Sequence, residues 1–354
     1  MNKQKRVFSG TRATGRLHLG NYLGAVKGYI ELTDNPDYET IFMVMDLHAI
    51  TTPYDKDSLA LTSREVIIDY LAAGLDPKKA IITAQSLVSE HTYLTYLFST
   101  VMSVARMQHL PTYKEKASQY PDDVTLALLN YPALMAADIL LYKAELVPVG
   151  IDQEPHLEIA REVARKMNDR YGMDFPEPQR FATKGEYIPS LRGEGKMSKS
   201  VEGSYINLTD DLETIKQRLK GAPTDGGMGE IQKVAIDTQS KTSVKSPKKY
   251  IDKNTGTESI GVANLLKLVE LFDSEEKRNF YEEQYQGVGI KYGELKQELA
   301  ESIYNELQPI QERRAELEQQ PSFIEEVIQE GAKRAKIIAK QTLNEIKDKM
   351  GLTL

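Results

Sequence analysis

Residues 193–200, GEGKMSKS, set two lysines, Lys196 and Lys199, three positions apart among glycines and hydroxyl side chains. A loop loosened by Gly193 and Gly195 can close over a phosphate chain and neutralise charge while a group is transferred; the plainer alternative is a solvated loop. A second candidate is residues 8–25, FSGTRATGRLHLGNYLGA, with glycines at 10, 15, 20 and 24 and with His18 and Asn21 beside Gly20. A strand, a glycine turn and a helix N-terminus together make an anion site, because free amides and the helix dipole face the ligand. The bare Cα of Gly20 also lets a flat base approach the backbone. The spacing matches neither the dinucleotide nor the P-loop pattern, and a mere connecting turn is the alternative. Third, Asp138 lies in NYPALMAADILLY among Ala136, Ala137, Ile139 and Leu140. A carboxylate so surrounded needs a hydrogen-bond donor. An internal salt bridge or helix cap would supply one; so would a ligand with an apolar body and one polar hydrogen, such as an indole N–H or a phenol O–H. In VPVGIDQ a strand ends at Gly150 and a helix is expected to open at Asp152 and Gln153, and His48 in MDLHAIT follows another strand end.

These residues need a scaffold that gathers strand ends. RVFSG, TIFMVMD, KAIITAQS and AELVPVG read as strands, and the near-continuous apolar run of TIFMVMD suits a parallel strand covered on both faces. Between them run helical patterns, among them SREVIIDYLAAGLDP, with Val66, Ile67, Tyr70 and Leu71 on one face and Gly74 and Pro77 as stops. LGNYLGAV and DQEPHLEIAREVARKM read as amphipathic helices, the second capped by Asp152. Alternating strands and helices predict an α/β fold with a doubly wound, Rossmann-like parallel sheet, whose ligands sit at the carboxyl ends of the strands. After about residue 204 the chain turns charged and helix-favouring, interrupted by a Gly-, Ser-, Thr- and Lys-rich segment expected to be an exposed loop. Near the end, Ala335, Ile338, Ala339, Thr342, Leu343 and Ile346 share one helical face, and Lys333, Lys336, Lys340 and Lys347 stripe the other.

The chain of 354 residues, 40% hydrophobic, is long enough for two domains. A net charge of −7 argues against a surface coated in nucleic acid, but not against a polyanion at a local basic patch. With no cysteine, disulfides, zinc thiolates and thiol catalysis are excluded, and the N-terminal residues lack a signal-peptide pattern, so a cytoplasmic protein is expected. Tryptophan is absent altogether.

TGRLHLGN resembles the first signature of class I aminoacyl-tRNA synthetases at His18, Leu19, Gly20 and Asn21, and KMSKS at residues 196–200 is identical to their second. The blocks MDLHAIT and YPALMAADILLYKAELVPVGIDQEPHLEIAREVARKMN resemble the tryptophanyl members. The resemblance implies a homodimer with a Rossmann catalytic domain, residues 1–204, whose helical dimer-interface region spans about 90–135, and a helical anticodon-binding domain, residues 205–354. It implies formation of tryptophanyl-adenylate from L-tryptophan and ATP with Mg²⁺, then transfer to the 3′ end of tRNA(Trp). Phe8, Met135, Val147 and Val149 would wall the indole, Asp138 would accept its N–H, Tyr131 and Gln153 would orient the ammonium and carboxylate, and His48 is grouped with them. Arg12, Ala13, Thr14, Gly20, Asn21, Gly150, Ile151, Asp152 and Ile188 would hold ATP, together with Lys196, Met197, Ser198, Lys199 and Ser200. His18 would face the phosphates, and Lys116 would assist the signature lysines. Mg²⁺ would be held by phosphates and water, with no dedicated protein metal cage. Arg12, Ala13 and Ile151 depart from the common Gln, Pro and Glu and bear on ATP affinity, and the basic loop at about 226–258 is longer than usual. The competing readings are the tyrosine-specific relative and an RNA-binding or tryptophan-sensing paralogue that charges no tRNA.

Overall fold

The computed structural model describes residues 4–13, 15–183, 187–199, 201–233 and 248–353. Along the chain, β1 (Lys5–Arg12) leads to a short helix α1 (Leu19–Asn21), a π-helical turn at Tyr22–Val26, and α2 (Lys27–Asp34). Next come β2 (Tyr38–Met45), α3 (Asp46–Ala49), α4 (Leu59–Ala72), β3 (Ile81–Ala84), α5 (Glu90–Ser99), α6 (Val104–Gln108) and α7 (Pro111–Gln119). They are followed by α8 (Leu126–Leu140), β4 (Leu146–Pro148), α9 (Glu154–Tyr171) and β5 (Gln179–Phe181). The remainder holds α10 (Leu212–Lys220), β6 (Gly229–Lys233), β7 (Lys248–Asp252), α11 (Ile260–Phe272), α12 (Glu275–Gln286), α13 (Tyr292–Glu318) and α14 (Pro321–Lys349). Two compact units result, one of Met1–Arg16, Lys27–Thr183 and Glu316–Leu354, the other of Leu17–Val26 and Lys184–Ala315.

The first unit is built on a five-stranded parallel sheet of order β3-β2-β1-β4-β5, the α/β arrangement expected from the alternation. Residues Ile41 to Met45 of β2 are all buried, which is why that strand reads as a continuous apolar run. The order of the strands reverses beside β1, so the carboxyl ends of β1 and β4 flank the switch point where such sheets bind ligands. In this unit α14 lies against β3: Thr83 Oγ1 donates to the Ile328 carbonyl at 3.0 Å. A Cβ on Gly331 would sit 2.0 Å from the Ile82 carbonyl oxygen, so only glycine permits that approach. The apolar face of α14 is buried at Ala335, Ala339, Thr342, Leu343 and Ile346; Lys333 and Lys340 are exposed and Lys336 and Lys347 half-buried.

Three local expectations need correction. Asp152 does not cap the helix after β4. It lies in a 3-10 turn, Ile151–Gln153, closed by Gln153 N–H to the Gly150 carbonyl at 3.0 Å, and its carboxylate accepts from Gln153 Nε2 instead. The segment LGNYLGAV is not one regular helix. It widens into the π turn after Asn21, where Tyr22 donates its hydroxyl to Glu306 at 2.9 Å within the second unit. The Gly- and Lys-rich segment is not all loop either, since β6 and β7 pair antiparallel from Gly229↔Asp252 to Lys233↔Lys248. Tyr250 drives that pairing: its ring is buried and its hydroxyl donates to Glu282 at 2.6 Å, the alternation being hidden by flanking lysines. Residues 234–247 of that segment lie outside the described residues.

Candidate active site

In the first unit the strand ends gather a line of aromatic and titratable side chains. Phe8, buried in β1, stacks on Tyr142 with centroids 5.3 Å apart and planes 11° from parallel. Tyr142 Oη lies 2.9 Å from His91 Nε2, and His91 Nδ1 lies 2.6 Å from Asp138 Oδ1. The same oxygen receives Gln85 Nε2 at 2.6 Å, while Oδ2 receives His48 Nε2 at 2.8 Å. His48 meets the Tyr131 ring edge-on at 6.4 Å, and Tyr131 Oη lies 2.5 Å from His156 Nε2.

Each position follows from local sequence. Thr125 caps α8 by accepting from the Leu128 amide at 3.2 Å, and the largely apolar run behind it carries Asp138 to zero exposure. Burial opposes ionisation of Asp138, but the bonds from His48 and His91 outweigh it and hold its pKa below the usual carboxylate range. With an ionised Asp138 accepting, both histidines present N–H groups to it. Burial pushes the Tyr142 hydroxyl well above its ordinary value, reinforced by Asp138, so it stays protonated. Burial, with His48 nearby, lowers His156 to about 4, and burial raises Tyr131 to about 12. Both are neutral at neutral pH.

Val147 is buried in the same core as Phe8, and Met135 and Val149 pack against that core, so the four residues expected to wall the indole share one unit. Gly150 precedes the 3-10 turn, and a Cβ there would lie 2.5 Å from Asp152 Oδ1. Arg12 donates through Nη2 to the Ala49 carbonyl at 3.2 Å and to Thr52 Oγ1 at 2.6 Å, and its Nε is buried with no hydrogen-bond partner. Burial lowers the Arg12 pKa. Ala13 is buried behind it. Lys116 stands on α7 with its ammonium on Gln119 Oε1 at 2.8 Å and near Glu115 at 3.6 Å. Gln153 is bonded to its neighbour Asp152.

The second unit brings the two signature segments together. His18 precedes α1, and its backbone N–H donates to Asn21 Oδ1 at 3.2 Å. Leu19 N–H reaches the Ile206 carbonyl at 2.8 Å, and Leu208 N–H reaches Leu17 at 3.2 Å. The stretch after KMSKS is thereby zipped to the stretch around His18. KMSKS itself leaves a narrow hairpin, in which Met197 N–H bonds to the Ile188 carbonyl at 3.0 Å and Ser190 N–H to Gly195 at 2.9 Å. Gly193 and Gly195 take φ of 111° and 87°, the left-handed region where a side chain would be strained. Ile188 and Met197 are buried, and Asn264 of α11 ties the hairpin base by donating to the Ser190 and Gly193 carbonyls at 2.9 and 2.7 Å. Ser198 N–H donates to Ser204 Oγ at 3.3 Å, which in turn donates to the Ser198 carbonyl at 2.7 Å.

Gly20 sits between the signatures: a Cβ there would lie 2.8 Å from His18 Cε1 and 3.1 Å from Met197 Cβ. Burial, then the charges of Lys199 and Lys196, lower His18 to about 4. His18 is therefore neutral at neutral pH, and its Nδ1 is buried without a partner. Thr14 and Ser200 lie outside the described residues.

Sequence reading missed His91, Gln85, Tyr142 and His156. His91, Leu94, Thr95 and Phe98 are all buried on α5 at helical spacing, so a histidine on the inward face of an apolar helix was the available signal.

A family model of class I tRNA synthetases (W and Y) matches residues 1–308. A "Tryptophan--tRNA ligase" of Porphyromonas gingivalis is 37% identical over 348 residues, covering 98% of both chains. A protein of the same name from Caldanaerobacter subterraneus is 38% identical over 354 residues, covering 99% of each. Among solved structures, a tryptophanyl-tRNA synthetase of Mycoplasma pneumoniae superposes with a TM-score of 0.81 at 29% identity, over 99% of this chain and 98% of that one. The enzyme of Campylobacter jejuni, described as complexed with ADP and tryptophan, superposes at 0.78 and 29%, over 98% and 100%. Together with two signatures zipped into one unit, these matches make the chain a member of the class I tRNA synthetases of the W and Y family.

Proposed function

We infer that this chain activates L-tryptophan with ATP, giving tryptophanyl-adenylate and pyrophosphate, and passes the acyl group to the 3′ end of tRNA(Trp). The observation that carries the mechanism is the meeting of His18, Gly20 and Met197 beside Lys196 and Lys199. The tryptophan carboxylate is itself the nucleophile. It attacks the α-phosphorus of ATP, and the bond to the bridging oxygen of pyrophosphate breaks, so no protein nucleophile is consumed. Lys196 and Lys199 take up the charge that grows on the β- and γ-phosphates, with Lys116 assisting. A neutral His18 donates to or accepts from phosphate without adding a third charge beside the two lysines. Gly20, Asn21, Ile188, Met197, Ser198 and Ser200, with Arg12, Ala13, Thr14, Gly150, Ile151 and Asp152, bind the nucleotide.

At the amino-acid end, Asp138 accepts the indole N–H and Phe8, Met135, Val147 and Val149 enclose the ring. His48 braces the carboxylate, and Tyr131 and Gln153 align the substrate's ammonium and carboxylate. Rate comes from alignment and charge stabilisation. Among the described residues no group of three or more His, Asp or Glu is arranged to hold a metal. The ammonium groups of the signature loop would hold the phosphates, and Mg²⁺ would be carried on those phosphates and on water. When bound, Mg²⁺ neutralises phosphate charge.

A homodimer is supported by the exposed apolar side chains Tyr93, Tyr96, Val104, Val124 and Leu126, which fall within the interface region 90–135. Residues 205–354, with the lysines of α14, are assigned to the tRNA anticodon. No helix among the described residues is long and apolar enough to cross a membrane, and a cytoplasmic location is part of the same reading. Pyrophosphate exchange with each amino acid tests the assignment. Exchange that depends on tryptophan is expected, and exchange that depends on tyrosine alone would overturn it.

A further inference from the structure

We propose that His91 is a positioning residue for tryptophan selection: with Gln85 it saturates one oxygen of Asp138 and thereby leaves a single acceptor site, on the other oxygen, for the indole N–H. This rests on the reading that the indole meets Asp138. A carboxylate oxygen offers two good acceptor directions. Oδ1 has both filled, by Gln85 Nε2 and His91 Nδ1 at 2.6 Å each. Oδ2 has one filled, by His48 Nε2 at 2.8 Å. The carboxylate is fully buried, so its remaining direction on Oδ2 is the one position at which it asks for a donor.

Three elements supply those donors: α3 gives His48, the 3-10 turn Gln85–Leu87 gives Gln85, and α5 gives His91. Pulled from three sides, the carboxylate cannot rotate about its Cβ–Cγ bond to offer a different oxygen. Tyr142 fixes the imidazole in turn. Asp138 only accepts, so Nδ1 carries the ring proton, and the Tyr142 hydroxyl, 2.9 Å from Nε2, donates to that nitrogen and holds the tautomer. Tyr142 also stacks on Phe8, so the residue that sets the His91 tautomer packs on a wall of the indole pocket. A site so built rejects a substrate that lacks the donor, because a buried charged acceptor is left unpaired.

The test is pyrophosphate exchange with L-tryptophan and with β-(3-benzothienyl)-L-alanine, which replaces N–H by sulfur, and the readout is the ratio of their kcat/KM values. His91→Leu is expected to lower that ratio about ten- to a hundredfold, the range of one charge-assisted hydrogen bond, with tryptophan KM rising more than kcat falls. His91→Asn, whose side-chain amide can stand where Nδ1 stood, is expected to recover most of the ratio. Tyr142→Phe keeps the ring and loses the tautomer lock, and should give a smaller fall in the same ratio; it serves as the second variant if His91→Leu does not fold. An unchanged ratio in His91→Leu, or His91→Asn behaving like His91→Leu, overturns the proposal. Asp138→Ala, which removes the acceptor, separates the two levels. If it preserves the ratio, the reading that Asp138 takes the indole N–H fails and the proposal falls with it. If it abolishes the ratio while His91→Leu does not, only the positioning role fails.

Discussion

Gly20→Ala adds one methyl group where the two signatures meet, and the structure says what it would strike. The new Cβ would lie 2.8 Å from His18 Cε1, 2.9 Å from Nδ1 and 3.1 Å from Met197 Cβ. Ordinary carbon contacts need about 3.5 Å or more, so the imidazole must retreat by about 0.7 Å, or the KMSKS hairpin must move instead. The backbone is not the obstacle, because Gly20 lies in α1 and is absent from the positive-φ glycines. Alanine there relieves about 0.5–1 kcal/mol of helical entropy cost, against about 1–3 kcal/mol for overpacking. Net stability should fall by about 2.5 kcal/mol at most. Activity should suffer more, since a misplacement of about 1 Å in a reacting constellation costs about a hundredfold.

The expected result in pyrophosphate exchange is a ten- to hundredfold loss in kcat/KM for ATP with tryptophan KM little changed. Gly293→Ala is the control: nothing lies within 4 Å of the place its methyl group would take on α13, so activity should hold and stability should stay level or rise. Combining Gly20→Ala with His18→Ala should cost less than the two losses multiplied, because the methyl then has no ring to displace. A Gly20→Ala enzyme within twofold of the parent for ATP, or strict additivity in the double variant, would refute the reasoning.

Lys199→Ala should lower kcat for adenylate formation by about a hundredfold while tryptophan affinity, measured by equilibrium binding, changes little; equal losses in both would deny the lysine a role confined to the transition state. Gly331→Ala should destabilise the sheet unit by about 3 kcal/mol, read as a lower thermal midpoint, because its methyl would enter the Ile82 carbonyl at 2.0 Å. His156 is depressed from 6.5 to about 4, so between those values the unfolded ring holds a proton that the folded ring refuses. Its contribution is intact above pH 6.5 and is lost as pH falls toward 4, about 2 kcal/mol between pH 7 and pH 5. His156→Gln should flatten the urea-midpoint profile over that window, and parallel profiles would reject the shift.

What could be read from the sequence was whatever repeats at short range. The apolar run of β2 announces a strand covered on both faces, and the inward face of α14 is visible at Ala335, Ala339, Leu343 and Ile346. Asp138 stood out because a charge among alanines and leucines breaks an apolar pattern. Its partners did not, because Gln85 and His91 lie 53 and 47 residues away and only tertiary packing, of the turn after β3 for Gln85 and of α5 on α8 for His91, joins them. The π turn was equally silent: Tyr22–Val26 keeps helical spacing well enough to pass for α, and its departure involves Glu306 far along the chain. Gly150 shows the limit at an element boundary. A 3-10 turn and an α-helical cap call for the same small and acidic residues, so Asp152 could be assigned either way until the Gln153–Gly150 bond was seen.

The two units handle charge in opposite ways, and the proposed function gives the difference a reason. On the proposed reading, selection of an amino acid needs an acceptor that does not adapt, and Asp138 is buried, ionised and held by donors from three elements. A carboxylate free to turn would accept from water or from a differently placed hydroxyl, and discrimination would fall toward the few-fold level that shape alone supplies. Phosphoryl chemistry needs charge that follows a leaving group. On that reading, Lys196 and Lys199 stand on a hairpin whose glycines take conformations closed to other residues, anchored at its base by Asn264. Gly195→Ala would strain that hairpin at φ 87°, whereas, on the proposed reading, loosening Asp138 would spoil the choice of substrate. The buried acceptor and the glycine-shaped hairpin are thus separable in the sequence, and substitutions at each should change different kinetic constants.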